Sequence, residues 1–389
     1  MTARAIGRRR CVLSLLCAAA LPACGARQAA SHDAAATDGA SVTTIARGLE
    51  HPWAVALLDD GSFLVTERPG RMRRISAKGV VSAPITGVPR VWAQGQAGLL
   101  DVELAPDFAR GHRVYFTYIE PGDGTAGTAG TTAALATLQD NALRDLKVIY
   151  RETPKIEGSA NLGSRIAFDG KGHVFITQGD RFDRMRAQDL SVDEGKLMRL
   201  GMDGGVPTDN PFADQKDARP QIWSYGHRNG QGLAFDPRTG TLWESEHGPR
   251  GGDEINLPRR GKNYGWPIAS DGMDYSTDRP YPETVGTSAP GMESPHRVWK
   301  KSPGLSGMAF LVGHPESAWN NSLFLGALAD RNLIRLSLDG DRIVGEERLL
   351  GDLGARIRDV RVGRNGDVYV LTDEDDGRLL RLQPPKAAH

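Results

Sequence analysis

The sequence predicts an all-β fold, a six-bladed β-propeller, and three observations carry that expectation. Turns with Gly, Asp or Asn recur at intervals of some tens of residues, each leading into a short β-branched or aromatic run. The 47 glycines and 23 prolines among 389 residues make a turn-rich chain suited to many short strands. The spacing between units is too long for a β-sandwich, whereas ring closure hides the sheet edges that an open sheet would expose.

Six units follow in order. Asp60-Gly61 leads into residues 62–67, then Gly70 into 71–75; Gly111-His112 leads into 113–118; Gly170-Lys171-Gly172 leads into 173–177. Thr239-Gly240 leads into 241–245, Asn320-Asn321 into 322–325 and then 332–338, and Asn365-Gly366 into 367–371 and then 378–382. An early strand over 42–45 is placed to close the ring against the last blade. The long connections 180–222 and 247–305 are expected at one face of the ring, where a site belongs. One stretch reads differently. Gly122-Asp123-Gly124-Thr125-Ala126-Gly127 matches a dinucleotide fingerprint ahead of a helix-like run over 133–146. No sustained alternation of strands and helices surrounds it, so it is read as a surface insertion.

Composition narrows the function. Hydrophobic residues at 39% and charged residues at 25% exclude a disordered, collagenous or polytopic membrane chain. With 48 basic against 48 acidic residues there is no basic field, which argues against nucleic-acid binding. At the N-terminus, Arg4, Arg8, Arg9 and Arg10 precede an apolar run over 12–21, too short to span a bilayer and laid out as a signal peptide. The segment 1–24 ends at Leu21-Pro22-Ala23-Cys24-Gly25, similar to a bacterial lipoprotein box with Cys24 as the lipidated residue. The Ala-, Ser- and Asp-rich stretch 25–43 reads as a tether, leaving 44–385 for the propeller. The chain is therefore expected to be exported, periplasmic or lipid-anchored to the bacterial envelope. All three cysteines lie within the first 24 residues, so neither disulfides nor thiolate chemistry are expected in the mature chain.

Candidate chemistry gathers in the long connections. Residues 223–232 are dense in donors and aromatic rings, and 246–254 combine Gly and Pro carbonyls with Asp and Glu oxygens, the ligand types of Ca²⁺. Arg356 and Arg358 fall on one side of an extended segment, either to bind carboxylates or to pair with Asp352 or Asp359. The acidic run 373–376 reads as a solvated turn, and His173 as structural. No G-x-S-x-G elbow, H-E-x-x-H or C-x-x-C-H motif occurs.

Ten motifs in order then carry a resemblance. They include His51-Pro52-Trp53, Gly95-Gln96-Ala97-Gly98-Leu99-Leu100-Asp101, Ser164-Arg165-Ile166, Gln178-Gly179-Asp180-Arg181, Gln188-Asp189-Leu190, Gly226-His227-Arg228-Asn229, Glu246-His247-Gly248-Pro249, Lys262-Asn263-Tyr264-Gly265-Trp266-Pro267 and Arg356-Ile357-Arg358-Asp359. From about Ile45 to Leu382 the chain resembles the soluble aldose sugar dehydrogenases, six-bladed quinoproteins that use pyrroloquinoline quinone (PQQ). The resemblance implies that Arg228 and Asn229 contact PQQ near its reactive carbonyl and that Arg356 and Arg358 bind its carboxylates. It implies that Gly248 and Pro249 offer carbonyls to a catalytic Ca²⁺, and Glu254 and Tyr264 hold a structural one. Gln96 and Gln188 would face a sugar, whose anomeric carbon is oxidised, and an external electron acceptor would complete the cycle.

Two departures stand out. The family's general base, a His four residues before the Arg of the Gly-Ser-Arg motif, is here Asn161, while Asp180, its orienting carboxylate, remains. An amide has no useful basicity near neutral pH. Ala329 stands where many relatives carry a Lys, with Arg331 nearby, and Lys300-Lys301 occupies a usually apolar segment. Two functions follow: a dehydrogenase with a shifted base such as Asp180 acting through a water, or a catalytically impaired propeller that binds a sugar or partner.

Overall fold

The computed structural model describes residues 39–122, 124 and 127–387. Cys24, the other cysteines, the signal segment and most of the tether lie outside the described residues. Among the described residues no helix is long and apolar enough to cross a membrane.

Strand β1 (Ser41–Leu49) comes first and belongs to the last blade. The first blade has β2 (Pro52–Leu57), β3 (Phe63–Glu67) and β4 (Arg71–Ile75). The second has β5 (Leu99–Leu104), β6 (Arg113–Pro121), β7 (Thr128–Gln139) and β8 (Ala142–Arg151), with β9 (Ile156–Glu157) added to β7. The third has β10 (Ile166–Phe168), β11 (His173–Gln178), β12 (Lys196–Gly201) and β13 (Ile222–Tyr225). The fourth has β14 (Gly230–Phe235), β15 (Leu242–Glu246), β16 (Asp253–Asn256) and β17 (Arg297–Trp299). The fifth has β18 (Leu305–Leu311), β19 (Ser322–Ala327), β20 (Asn332–Asp339) and β21 (Arg342–Leu349). The sixth has β22 (Ile357–Val362), β23 (Val368–Thr372) and β24 (Gly377–Gln383), and β1 pairs antiparallel with β24 from Ser41↔Gln383 onward.

Within each blade the strands pair antiparallel in chain order. First strands touch one another around the centre, β2 with β5, β5 with β10, β10 with β14, β14 with β18, β18 with β22 and β22 with β2. The expected six-bladed propeller is thus closed, and β1 is the strand anticipated at 42–45. Burial follows this geometry. Inner β2 is buried almost throughout, whereas outer β21 alternates exposed and half-buried positions.

Two expectations are corrected. The helix-like run over 133–146 is β7 and β8. Of the glycine fingerprint, Gly122, Gly124 and Gly127 fall between β6 and β7 while 123, 125 and 126 lie outside the described residues, and among the described residues β7, not a helix, follows it directly. Register with β6 overrides the helical propensity of this Ala-rich run, because Ala129, Ala133, Ala134 and Ala136 are fully buried against neighbouring blades. The span read as tether ends early, since β1 begins at Ser41. The connections 180–222 and 247–305 also contain strands β12, β16 and β17.

Candidate active site

A charged hub at the centre of the ring sets the site. Arg165, just before β10, is buried and donates to Asp359 Oδ1 (2.9 Å), Asp101 Oδ1 (3.1 Å), the Gln231 carbonyl (2.7 Å) and the Arg358 carbonyl (3.1 Å). Its guanidinium carbon lies 4.0 Å from the centre of the Trp53 ring. One side chain thereby ties together β2, β5, β14 and β22. Arg361 adds bonds to Asp101 (3.0 Å) and an ion pair to Glu103 (2.9 Å).

The candidate residues stand at one end of the ring, where first strands begin and second strands finish. Asn161 is buried in the left-handed region (φ 52°) and donates from Nδ2 to Asp180 Oδ1 at 2.9 Å. Asp180, also fully buried, accepts from the Phe182 amide (2.9 Å) and from Trp266 Nε1 (2.7 Å), and its own amide donates to the Arg228 carbonyl (2.8 Å). Gln96 Oε1 accepts from the Asn161 amide at 2.9 Å. Gln188 is occupied at both ends of its amide, donating to the Trp266 carbonyl (2.6 Å) and accepting from Asn263 Nδ2 (2.7 Å). It braces the Trp266 loop.

Arg228 is held from below by Glu246, whose Oε2 accepts the amides of Arg228 (2.7 Å) and Asn229 (3.3 Å). Its Nη1 donates to the carbonyls of His247 (3.0 Å) and Gly248 (2.8 Å). Asn229 Oδ1 accepts from the Gly163 amide (3.0 Å), which fixes the amide's orientation, and its Nδ2 faces His247 Nδ1 at 3.4 Å. Burial holds the His247 ring neutral, pushing its pKa down despite Asp253. The Gly248 turn is pinned by Asp253, which accepts the amides of Gly248 (3.0 Å), Gly304 (2.7 Å) and Leu305 (2.9 Å). Only glycine fits at position 248, since a Cβ there would stand 2.3 Å from the Gly251 carbonyl oxygen.

Arg356 and Arg358 do converge, but their partner is neither Asp352 nor Asp359. Arg358 Nη2 donates to Asp373 Oδ2 at 2.6 Å, and Arg356 Nη2 lies 3.9 Å from the same oxygen. Asp373 is therefore buried in an ion pair rather than solvated, with His51 Nδ1 on its other oxygen at 3.0 Å. Burial would raise its carboxyl, but Arg358 and its hydrogen bond hold it far below the usual carboxylate range. The rest of the acidic run behaves as read, with Asp375 93% exposed.

Beneath this end, Glu254 Oε1 accepts from Asn256 Nδ2 (2.8 Å), which also donates to Glu246 Oε1 (2.9 Å). Glu244 lies 3.2 Å from His227 Nδ1, yet neither carboxylate oxygen has a hydrogen-bond donor. Burial, then Glu246, push the carboxyls of Glu244 and Glu254 well up. Tyr264 brings its ring to this cluster, stacked on His227 at 4.9 Å, while its hydroxyl donates to the Leu257 carbonyl (2.5 Å).

Several buried polar atoms here have no protein partner: Nε of Arg228, Nε of Arg358, Nε2 of Gln178 and Nε2 of His247. Unmade donors are costly in a protein interior, so a cluster of them is the mark of a site built for a polar ligand. Of these residues His247 lines a cavity of about 460 Å³, together with Gly248, Pro249, Lys300, Ser302 and Ala329 among others. Two guanidinium groups with spare donors suit the carboxylates of PQQ, and backbone carbonyls with buried acids suit a hard cation. A larger cavity of about 680 Å³ opens at the other end of the inner strands, beside Leu57, Leu104 and Tyr369, and contains none of these residues.

The sequence profile of the family described as Glucose / Sorbosone dehydrogenase matches residues 49–381. Aldose sugar dehydrogenase YliI of Escherichia coli (strain K12) is 48% identical over 339 residues, 86% of this chain and 91% of that one. A crystal structure of glucose dehydrogenase superposes with a TM-score of 0.85 at 51% identity, covering 90% of this chain and 100% of that one. The PQQ-bound form of the Streptomyces coelicolor aldose sugar dehydrogenase gives a TM-score of 0.72 at 28% identity, covering 90% and 99%. Fold and relatives agree, and the chain belongs to the glucose/sorbosone dehydrogenase family of sugar dehydrogenases.

Proposed function

We propose that this protein is an exported quinoprotein that oxidises the anomeric carbon of aldoses to lactones, using PQQ and Ca²⁺. The observation that carries the reading is the pair of buried, unpartnered Nε donors on Arg358 and on Arg228, the latter bonded to the Gly248 carbonyl. When bound, PQQ accepts a hydride from the sugar and Ca²⁺ polarises it as a Lewis acid. Arg356, Arg358, Arg228 and Asn229 would hold the cofactor, and the carbonyls of Gly248 and Pro249 the catalytic cation. Glu254 supplies hard oxygen for a structural Ca²⁺, with the Tyr264 ring beside it. Gln96 orders Asn161, and Gln188 orders Trp266, so both shape the sugar side of the mouth. Export, with a lipid anchor at Cys24, rests on the N-terminal pattern of charge, apolar run and cysteine box.

The anomeric hydroxyl must also lose a proton, and Asn161 cannot take it. Asp180 already accepts three hydrogen bonds, two on Oδ1 and one on Oδ2, leaving one Oδ2 lone pair to act through a water. That saturation favours a second reading, a propeller that binds cofactor and sugar but turns over slowly if at all. The deciding experiment is dye-linked aldose oxidation by the mature chain loaded with PQQ and Ca²⁺, beside a PQQ-dependent thermal shift. Turnover supports the dehydrogenase, a shift without turnover supports the binding module, and neither removes the quinoprotein reading.

A further inference from the structure

Two adjacent residues at the mouth, Arg181 and Phe182, hold left-handed backbone conformations with φ of 56° and 63°. Neither is Gly, Asn or Asp, and such conformations cost about 1–2 kcal/mol each for ordinary side chains. Strain of this kind persists only where the surroundings over-determine it. Here they do. The Arg181 guanidinium is buried against Glu152 (2.9 and 3.2 Å) and the Gly158 carbonyl (2.5 Å), and the Phe182 amide is fixed on Asp180. The Arg181 amide also donates to the Asn161 carbonyl at 3.2 Å.

This clamp holds the Phe182 ring out rather than in. Phe182 is 55% exposed, although it belongs to none of the hydrophobic clusters that would reward burial. Its ring centre lies 5.9 Å from the Arg228 guanidinium carbon, whose other aromatic neighbour is Trp266 at 5.3 Å. A strained backbone, anchored through the Asn161–Asp180 pair, thus presents an open phenyl ring beside the residue assigned to the cofactor.

We propose that Phe182 is the platform on which an aldose stacks, the C–H face of its pyranose ring against the phenyl ring, beside Arg228. The proposal deepens the dehydrogenase reading and rests on it for the identity of the ligand. An aromatic face provides apolar contact for axial C–H groups while leaving the sugar hydroxyls to polar residues around the mouth. Such a contact acts alike on ground state and transition state, so it should appear in KM and leave kcat in place.

The test compares Phe182→Ala, Phe182→Trp and Phe182→Asn with the wild type, all loaded with PQQ and Ca²⁺ and assayed with D-glucose. Loss of stacking predicts a rise in KM of roughly 3- to 10-fold for Phe182→Ala, with kcat within about twofold. Phe182→Trp should restore KM, and the thermal shift on adding PQQ should be the same in all four proteins. Phe182→Asn, which suits the left-handed backbone, should raise the melting temperature by ~1–2 °C while weakening D-glucose as Phe182→Ala does. An unchanged KM in Phe182→Ala, or a lowered melting temperature in both small variants, overturns the platform. Saturation-transfer NMR of D-glucose on the same proteins decides the matter without turnover. Ring-proton saturation reaching the sugar in wild type but not in Phe182→Ala supports the platform, and equal or absent transfer in both refutes it. Absence of a PQQ shift in the wild type would instead remove the quinoprotein reading, whichever way the NMR falls.

Discussion

Replacing Asn161 by His restores a proton acceptor where this chain has an amide, and the structure says what the swap keeps. Asn161 donates one hydrogen bond to Asp180 Oδ1 at 2.9 Å, and a His Nδ1–H can donate the same bond. A hydrogen bond to a buried carboxylate contributes about 1.5–3 kcal/mol, so that contribution is retained. The left-handed backbone at 161 is also kept, because His is tolerated there with Asn and Asp. The larger ring must fit a buried position, at a cost of about 1–3 kcal/mol in packing. Against this, Nε2 would stand free as a general base, worth roughly 10²–10⁴ in rate, or about 2.7–5.4 kcal/mol of barrier. Dye-linked aldose oxidation should rise by that factor, and its pH profile should gain an acid limb near the imidazole pKa of about 6.5. A folded Asn161→His protein that binds PQQ like the wild type but shows neither change refutes the assignment of position 161 to proton transfer.

Four further outcomes follow from the same contacts. Asp180→Asn removes the charge on which three donors converge and should cost about 2–3 kcal/mol in urea unfolding, while abolishing any gain from Asn161→His. Arg165→Met leaves Asp101 and Asp359 to Arg361 alone at the ring centre and should cost about 3–5 kcal/mol by the same measurement, unlike a surface arginine. Gly248→Ala forces a Cβ onto the Gly251 carbonyl, so PQQ- and Ca²⁺-dependent thermal shifts should disappear together. Because the Asp373 carboxyl is held below its unfolded value, its stabilisation is full above the ordinary Asp pKa of about 4 and is lost as pH falls toward the lowered one. The acid limb of the wild-type stability curve should therefore be steeper than that of Asp373→Asn.

Much of the ring is legible in the sequence, because the second strands β3, β11, β19 and β23 are largely apolar runs that follow Gly or Asn turns. The inner strands are harder to see. In β5 and β22 the runs Leu-Leu-Asp-Val-Glu-Leu and Ile-Arg-Asp-Val-Arg-Val carry charges that look solvated, yet Arg165 and Arg361 neutralise them across the centre. Nothing local announces a partner that far away in the chain. The misreading of Asp373 has the same origin, since its neighbours Glu374, Asp375 and Asp376 suggest a wet turn while Arg358 is supplied by another strand. The site shows the converse. Arg228, Asn229, Glu246, Gly248 and Pro249 sit in dense local motifs, whereas the backbone at Phe182 leaves no compositional mark. A left-handed dihedral is legible when glycine marks it and invisible when phenylalanine bears it.

Asn161 also explains how the site keeps its shape without a base. Toward Asp180 an Asn amide and a His ring are equivalent, for each presents one N–H to Oδ1. The carboxylate still positions Phe182 and Trp266, and Trp266 still flanks Arg228. Folding and cofactor binding therefore depend on the donor at 161, and only proton transfer depends on the acceptor that an imidazole adds. In the proposed reading, wild-type turnover passes through the one Oδ2 lone pair that Asp180 retains. If so, Asp180→Asn removes wild-type turnover without abolishing the PQQ thermal shift. A base elsewhere would leave turnover standing.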